Sequence, residues 1–88
     1  RTPKIHASNG RDHWTTWSVA LGGGGIQPGR VIGKTDELGM SIVERPVPVN
    51  DLFATLYHSF GIAAEKKLVQ VPRPMKIVDG GSYIKELF

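Results

Sequence analysis

The sequence predicts an α/β fold with one main helix and about four short strands, which together form part of a larger domain. Three features predict it: an apolar stripe at helical spacing in residues 52–60, an apolar segment of strand length at residues 17–21, and glycines and prolines that keep the other apolar segments short. Eighty-eight residues suffice for one small domain or a piece of one. Because the chain begins with Arg1 instead of Met, we expect residues 1–88 to be a single carboxy-terminal fragment with further polypeptide before it.

The helix is expected to begin between Pro48 and Asn50 and to end at Phe60. Asn50 is a suitable cap for the first amides, and Asp51 complements the positive end of the helix dipole. Gly61 favours a left-handed stop after the last turn. The apolar residues of this stretch share one face: Leu52, Phe53, Leu56, Tyr57 and Phe60.

Residues 17–21 are predicted to form an interior strand. Trp17, Val19 and Leu21 alternate with small residues instead of charged ones, which is typical of a strand covered on both faces. One helix and a few short strands do not enclose such a strand, so we expect its partners to come from the remainder of a parent chain or from self-association. The other strand candidates are residues 31–32 and 75–78, and residues 42–43 and Val47 are expected to be extended.

The segments between these candidates read as turns and loops. Asn9-Gly10 is a strong turn dipeptide, and the four glycines of residues 22–25 disfavour both helix and strand. The apolar tail is expected to dock against a larger body. This tail is residues 83–88, and the remaining expected loops are residues 34–41 and 79–81.

Composition and charge limit the class of protein. The formal net charge is +3, but the basic residues are scattered, with Lys66-Lys67 the single adjacent pair. Nucleic-acid binders concentrate such charge, usually with aromatic residues between, so no nucleic-acid partner is expected. No apolar run approaches the roughly 20 residues of a membrane-spanning helix. The lack of cysteine excludes disulfides and thiolate zinc sites.

The residues with most chemical potential lie together just before the predicted interior strand. Arg11 can hold an oxyanion, Asp12 can bind or orient a metal ion, and His13 can bind one through its neutral imidazole. The alternative is that Arg11 and Asp12 form a surface ion pair while His13 bonds a nearby carbonyl. His6 and His58 are interpreted as structural, and the glycine run at residues 22–25 matches neither known phosphate-binding glycine motif.

Several strings in this order resemble the end of an uncharacterised family of bacterial exported proteins related to sulfatases and alkaline phosphatases. The most specific are Gly10-Arg11-Asp12-His13-Trp14 and the closing Ile84-Lys85-Glu86-Leu87-Phe88. The other matching strings are residues 1–5, 17–26, 31–36, 44–47 and 51–62, so the resemblance covers essentially the whole chain. Thr15 departs from it, since similar sequences often have proline there.

The resemblance implies an alkaline phosphatase-like, mostly parallel sheet sandwiched by helices. It implies hydrolysis of small anionic sulfate or phosphate esters by an alkoxide nucleophile, with a divalent metal ion, zinc or calcium, as cofactor. His13 stands where the superfamily commonly has a late metal ligand, and Asp12 and Arg11 are the supporting candidates. The nucleophile and the other ligands would lie before Arg1, and the implied location is periplasmic or otherwise exported.

Three functions follow as hypotheses. The first is a metal-dependent sulfate or phosphate ester hydrolase, of which this chain holds an incomplete active site. The second is a superfamily member that has lost catalysis and serves as a binding or scaffolding protein. The third is a small basic module that binds anionic polymers, for which the scattered charge is unfavourable.

Overall fold

The computed structural model describes residues 5–11, 13–68 and 75–88. The chain divides into two compact units, each built from two segments. The first unit comprises Arg1–Leu21 and Val31–Pro46, and the second comprises Gly22–Arg30 and Val47–Phe88. The elements are β1 (Lys34–Thr35), β2 (Ile42–Glu44), α1 (Val49–Ser59), β3 (Lys67–Leu68), β4 (Met75–Lys76) and a 3-10 turn at Lys85–Leu87.

The first unit contains an antiparallel pair, β1–β2, with an irregularity in register between Lys34 and Thr35. Lys34 lies opposite Glu44, and the distance between their Nζ and Oε1 atoms is 4.0 Å. Both side chains are largely exposed, so this ion pair contributes little stability. The extended conformation expected at residues 42–43 is confirmed, since both belong to β2. Residues 31–32, predicted to be a strand, form none. The strand β1 lies instead at Lys34–Thr35, within residues 34–41, which were expected to be a loop.

Residues 17–21 form no strand within the described chain, and the interior strand, whose partners are expected outside residues 1–88, stays a prediction. Trp17 is 54% exposed and Val19 51% exposed. The physical reason is a lack of partners, because a strand requires neighbours for its backbone N–H and C=O groups. In the first unit, β1 and β2 pair with each other, and neither is paired with this segment.

The second unit is organised by the docking of the closing segment on helix α1. The Thr55 side chain is completely buried, and its hydroxyl donates to Asp51 O at 2.7 Å and accepts from Ile84 N at 2.9 Å. Asp51 Oδ1 also accepts from Ser82 N at 2.9 Å. The expected docking of the apolar tail is confirmed. The buried apolar side chains of the described residues are Ala54, Val78, Ile84 and Leu87.

The helix begins earlier than an Asn50 cap requires, so Asn50 is not the capping residue, but its Oδ1 accepts from the first-turn amide Asp51 N at 3.2 Å as the prediction of a side-chain acceptor for the first amides required. Extended Pro48 is the residue before the first turn and makes no side-chain capping bond. Asn50 lies within the first turn, where its side-chain amide donates to Asp79 O at 3.4 Å. At the other end Gly61 has the predicted left-handed conformation, with φ of 75°. The helix ends at Ser59, one residue before the predicted end, which is within the ordinary uncertainty of a helix boundary.

The apolar stripe of α1 is only partly covered. Leu52, Leu56 and Tyr57 are half-buried, but Phe53 and Phe60 are exposed. The buried positions of the helix are Ala54 and Thr55, which lie on the side where the closing segment docks. The stripe therefore does not face the core of this unit.

The remaining loops match their predictions. The glycines of residues 22–25 form a turn, and the backbone N–H of Gln27 bonds to Leu87 O at 2.7 Å. β3 and β4 pair antiparallel, and the strand predicted at residues 75–78 is confirmed over Met75–Lys76. Within the described residues, both sheets are two-stranded and antiparallel. The larger alkaline phosphatase-like sheet stays a prediction.

Thr55→Val should lower the free energy of unfolding by about 1–3 kcal/mol, because the buried amide of Ile84 loses its acceptor. Urea denaturation followed by the far-ultraviolet circular dichroism of α1 measures the effect. Ser59→Ala is the control, since the half-buried Ser59 hydroxyl donates to Leu56 O within the same helix, and its effect should stay within about 0.5 kcal/mol. Equal losses in the two variants would contradict the assigned role of Thr55.

Gly81→Ala should destabilise the second unit more than Gly25→Ala. Both glycines have φ near +80°, a conformation that costs other residues about 1–2 kcal/mol. A Cβ at Gly81 would lie 2.7 Å from the carbonyl of Asn50, whereas one at Gly25 meets nothing within 4 Å. We therefore expect an additional loss of about 1–3 kcal/mol for Gly81→Ala in the same denaturation experiment, and equal losses would exclude this close approach.

Candidate functional site

The Gly-Arg-Asp-His-Trp motif follows a short hairpin in the first unit. Ile5 and Arg11 form an antiparallel bridge, and two backbone bonds close the turn between them, from His6 N to Gly10 O at 3.0 Å and from Asn9 N to His6 O at 2.9 Å. Asn9 has a φ of 63°, a left-handed conformation that asparagine tolerates well. The predicted Asn9-Gly10 turn is confirmed, and it fixes the backbone that enters the motif.

His6 is a structural residue of this hairpin. Its Nδ1 atom lies 2.5 Å from Ser8 Oγ, and its ring lies over Gly10, where a Cβ would be 3.1 Å from His6 Cε1. The sequence interpretation of His6 as structural is supported. A side chain at Gly10 would therefore displace the His6 imidazole by a few tenths of an ångström.

Two of the three site residues predicted from the sequence belong to the described part of the chain. His13 and Arg11 are both exposed, and Asp12 lies outside the described residues. Within residues 5–11, 13–68 and 75–88, no three His, Asp or Glu side chains are arranged to hold a metal ion. A metal ion at His13 would need ligands beyond these described residues, and an exposed imidazole is free to accept them.

Trp14 anchors the other end of the motif. Its indole Nε1 donates to Met40 O at 2.7 Å, and the hydroxyl of buried Thr16 donates to the same oxygen at 3.4 Å. Met40 is held in turn, since its backbone N–H donates to Asp36 Oδ1 at 2.9 Å. His13 is thus placed between two ordered segments, the hairpin before it and the Trp14 anchor after it.

Sequence reasoning missed the anchor. Asp36 and Gly39 close a turn, in which Gly39 N donates to Asp36 O at 3.1 Å. An aspartate followed three residues later by a glycine is a turn signal that can be recognised in the sequence. The contact itself spans 26 positions between Trp14 and Met40. No local sequence pattern predicts a hydrogen bond between residues this far apart.

His58 takes part in a separate aromatic cluster of the second unit. Its ring stacks parallel to Tyr83 with centroids 3.7 Å apart, and its edge meets Phe88 at 4.7 Å. This packing agrees with the sequence interpretation of His58 as a helix-surface residue and not a catalyst. The cluster fastens the closing segment to the last turn of α1.

Comparison with known families decides the placement of the chain. All of residues 1–88 match the family described as "Protein of unknown function (DUF1501)". The chain belongs to this family. No curated protein and no solved structure matches it. The expected membership of an uncharacterised family is thereby confirmed, and the relation to sulfatases and alkaline phosphatases stays a prediction. Among the described residues of this DUF1501 chain, no helix is long and apolar enough to cross a membrane.

Trp14→Phe should loosen the anchor beside His13. Loss of the indole donor should increase the hydrogen-exchange rates of the Met40 and Asp36 amides about two- to tenfold, as expected for one net hydrogen bond. Exchange followed by nuclear magnetic resonance makes the measurement. Trp17→Phe is the matched control, since Trp17 is exposed and outside the anchor, and it should leave both rates unchanged. Equal acceleration in both variants would refute the anchor.

Proposed function

We propose that the DUF1501 protein to which this chain belongs is a metal-dependent hydrolase of sulfate or phosphate esters. Residues 1–88 supply its carboxy-terminal part, with His13 and Asp12 as metal-ligand candidates and without a complete active site. The observation that carries the proposal is the exposed His13 held between the hairpin and the Trp14 anchor. The resemblance of the Gly10–Trp14 motif to the sulfatase and alkaline phosphatase superfamily supplies the chemistry.

Each residue of the motif has a distinct role in this proposal. His13 binds the metal through a neutral ring nitrogen, which suits zinc, and the Asp12 carboxylate suits either zinc or calcium. Arg11 holds the oxyanion of the ester in its planar fork. A divalent ion held by these residues would supply Lewis-acid polarisation of the ester oxygen. Since a catalytic zinc needs about three protein ligands, the others come from the remainder of the parent chain.

The exposed apolar residues just after the motif support a site whose ligands come partly from residues 1–88 and partly from the remainder of the parent chain. Trp17 and Val19 are about half exposed and Leu21 is 36% exposed, which is unusual for three alternating apolar positions. Polypeptide of the parent chain that pairs with residues 17–21 would bury them and also bring its ligands toward His13. The proposed location, periplasmic or exported, rests on the resemblance alone.

The full-length protein should lose divalent-metal affinity by at least about 100-fold on His13→Ala, because a direct ligand matters more than an outer partner worth 10- to 100-fold. Isothermal titration with zinc and with calcium measures the affinity. His6→Ala is the control, since it alters a histidine of the same hairpin that is engaged with Ser8. Unchanged metal affinity in His13→Ala would refute the proposed ligand.

Arg11→Lys should affect turnover of aryl sulfates and phosphates without affecting metal affinity. Lysine keeps the charge but cannot form the two-pronged contact of arginine, so we expect kcat/KM to fall about tenfold or more. Metal binding without turnover of any such ester in the unaltered protein would favour the scaffolding hypothesis instead. Equal turnover in Arg11→Lys would remove Arg11 from the site.

A further inference from the structure

The second unit contains a cavity that shares no residue with the proposed metal site. Its volume is about 250 Å³, and its lining residues come from α1, from residues 62–65 and from the closing segment, all of which belong to this unit. Pockets that hold drug-sized ligands have volumes of about 300–1,000 Å³. The cavity therefore suits a molecule smaller than these.

Part of the lining is apolar and is held in place by the fold of the unit. Ala54 is buried, and Ile62 and Ala64 are half-buried, so these three residues offer a ligand an apolar surface. The helix and the closing segment are fastened together at the cavity, because the lining residues His58 and Tyr83 stack with their ring centroids 3.7 Å apart. A ligand would thus find the cavity already formed.

Two residues of opposite charge also line the cavity. Glu65 belongs to the turn after α1, and Lys85 belongs to the closing segment. Among the residues that the structure describes, neither side chain forms an ion pair or a hydrogen bond, although both line the same cavity. The cavity therefore combines an apolar surface with one negative and one positive group that do not neutralise each other.

We propose that this cavity binds a free α-amino acid with an apolar side chain, such as leucine. Its carboxylate contacts Lys85, its ammonium group contacts Glu65, and its side chain packs on Ile62 and Ala64. An anion would be repelled by Glu65 and a cation by Lys85. An uncharged apolar molecule would take water from both charged groups without replacing its hydrogen bonds. A small zwitterion is the ligand that satisfies both charges.

Titration of the full-length protein with L-leucine, followed by nuclear magnetic resonance, tests the proposal. The amides of Ala64 and Ser82, which line the cavity, should shift saturably, whereas those of Lys34 and Glu44 in the first unit should not. Leucinamide lacks the carboxylate and N-acetyl-leucine lacks the ammonium group, so each should bind about fivefold more weakly than leucine. Absence of a saturable shift at Ala64 and Ser82, or equal affinity for the three compounds, would overturn the proposal.

Two substitutions test the partner of each charged group. Lys85→Gln should weaken leucine binding about fivefold without weakening that of leucinamide, and Glu65→Gln should do the same without weakening that of N-acetyl-leucine. Lys34→Gln and Glu44→Gln are the matched controls, since each removes one partner of an exposed ion pair in the first unit and should change none of the affinities. Circular dichroism verifies that α1 persists in every variant. Losses as large in the controls, or losses equal for leucine and both analogues, would overturn the proposal.

Discussion

The structure depends on polar bonds from side chains to the backbone, because little apolar surface is buried. In the described residues, the buried apolar side chains are Ala54, Val78, Ile84 and Leu87, all of which belong to the second unit. The Thr55 hydroxyl bonds the helix backbone and the closing segment at once. A core this small leaves a narrow margin of stability, so single hydrogen bonds of this kind determine whether the segment stays docked.

The first unit also depends on hydrogen bonds from side chains to the backbone, made by different residues. Asp36 orders a turn and positions Met40, whose carbonyl then receives the Trp14 indole. This chain of contacts gives the residue before Trp14 a defined place, although the region lacks a buried apolar core of its own among the described residues. The position of His13 therefore depends on the polar anchoring of its neighbours, and its side chain is exposed.

The sequence predicted those elements that are determined by local chemistry. The helix with its Gly61 stop, the Asn9-Gly10 turn and the loop of residues 22–25 are such cases, since each depends on a residue whose backbone preference is strong. Residues 17–21 form no strand within the described chain, because strand formation depends on partners that apolar alternation does not supply. Neither the Trp14 anchor nor the Lys67–Lys76 pairing was predictable, because both join residues distant in sequence.

The central claim is that His13 belongs to a metal site completed by the parent protein. Anomalous X-ray diffraction at the zinc edge, on crystals of the full-length protein grown with zinc, tests it most directly. The account predicts a metal peak about 2.0–2.1 Å from a ring nitrogen of His13, with the other ligands contributed by the parent chain outside residues 1–88. A zinc peak held entirely by other residues, with His13 in solvent, would contradict it.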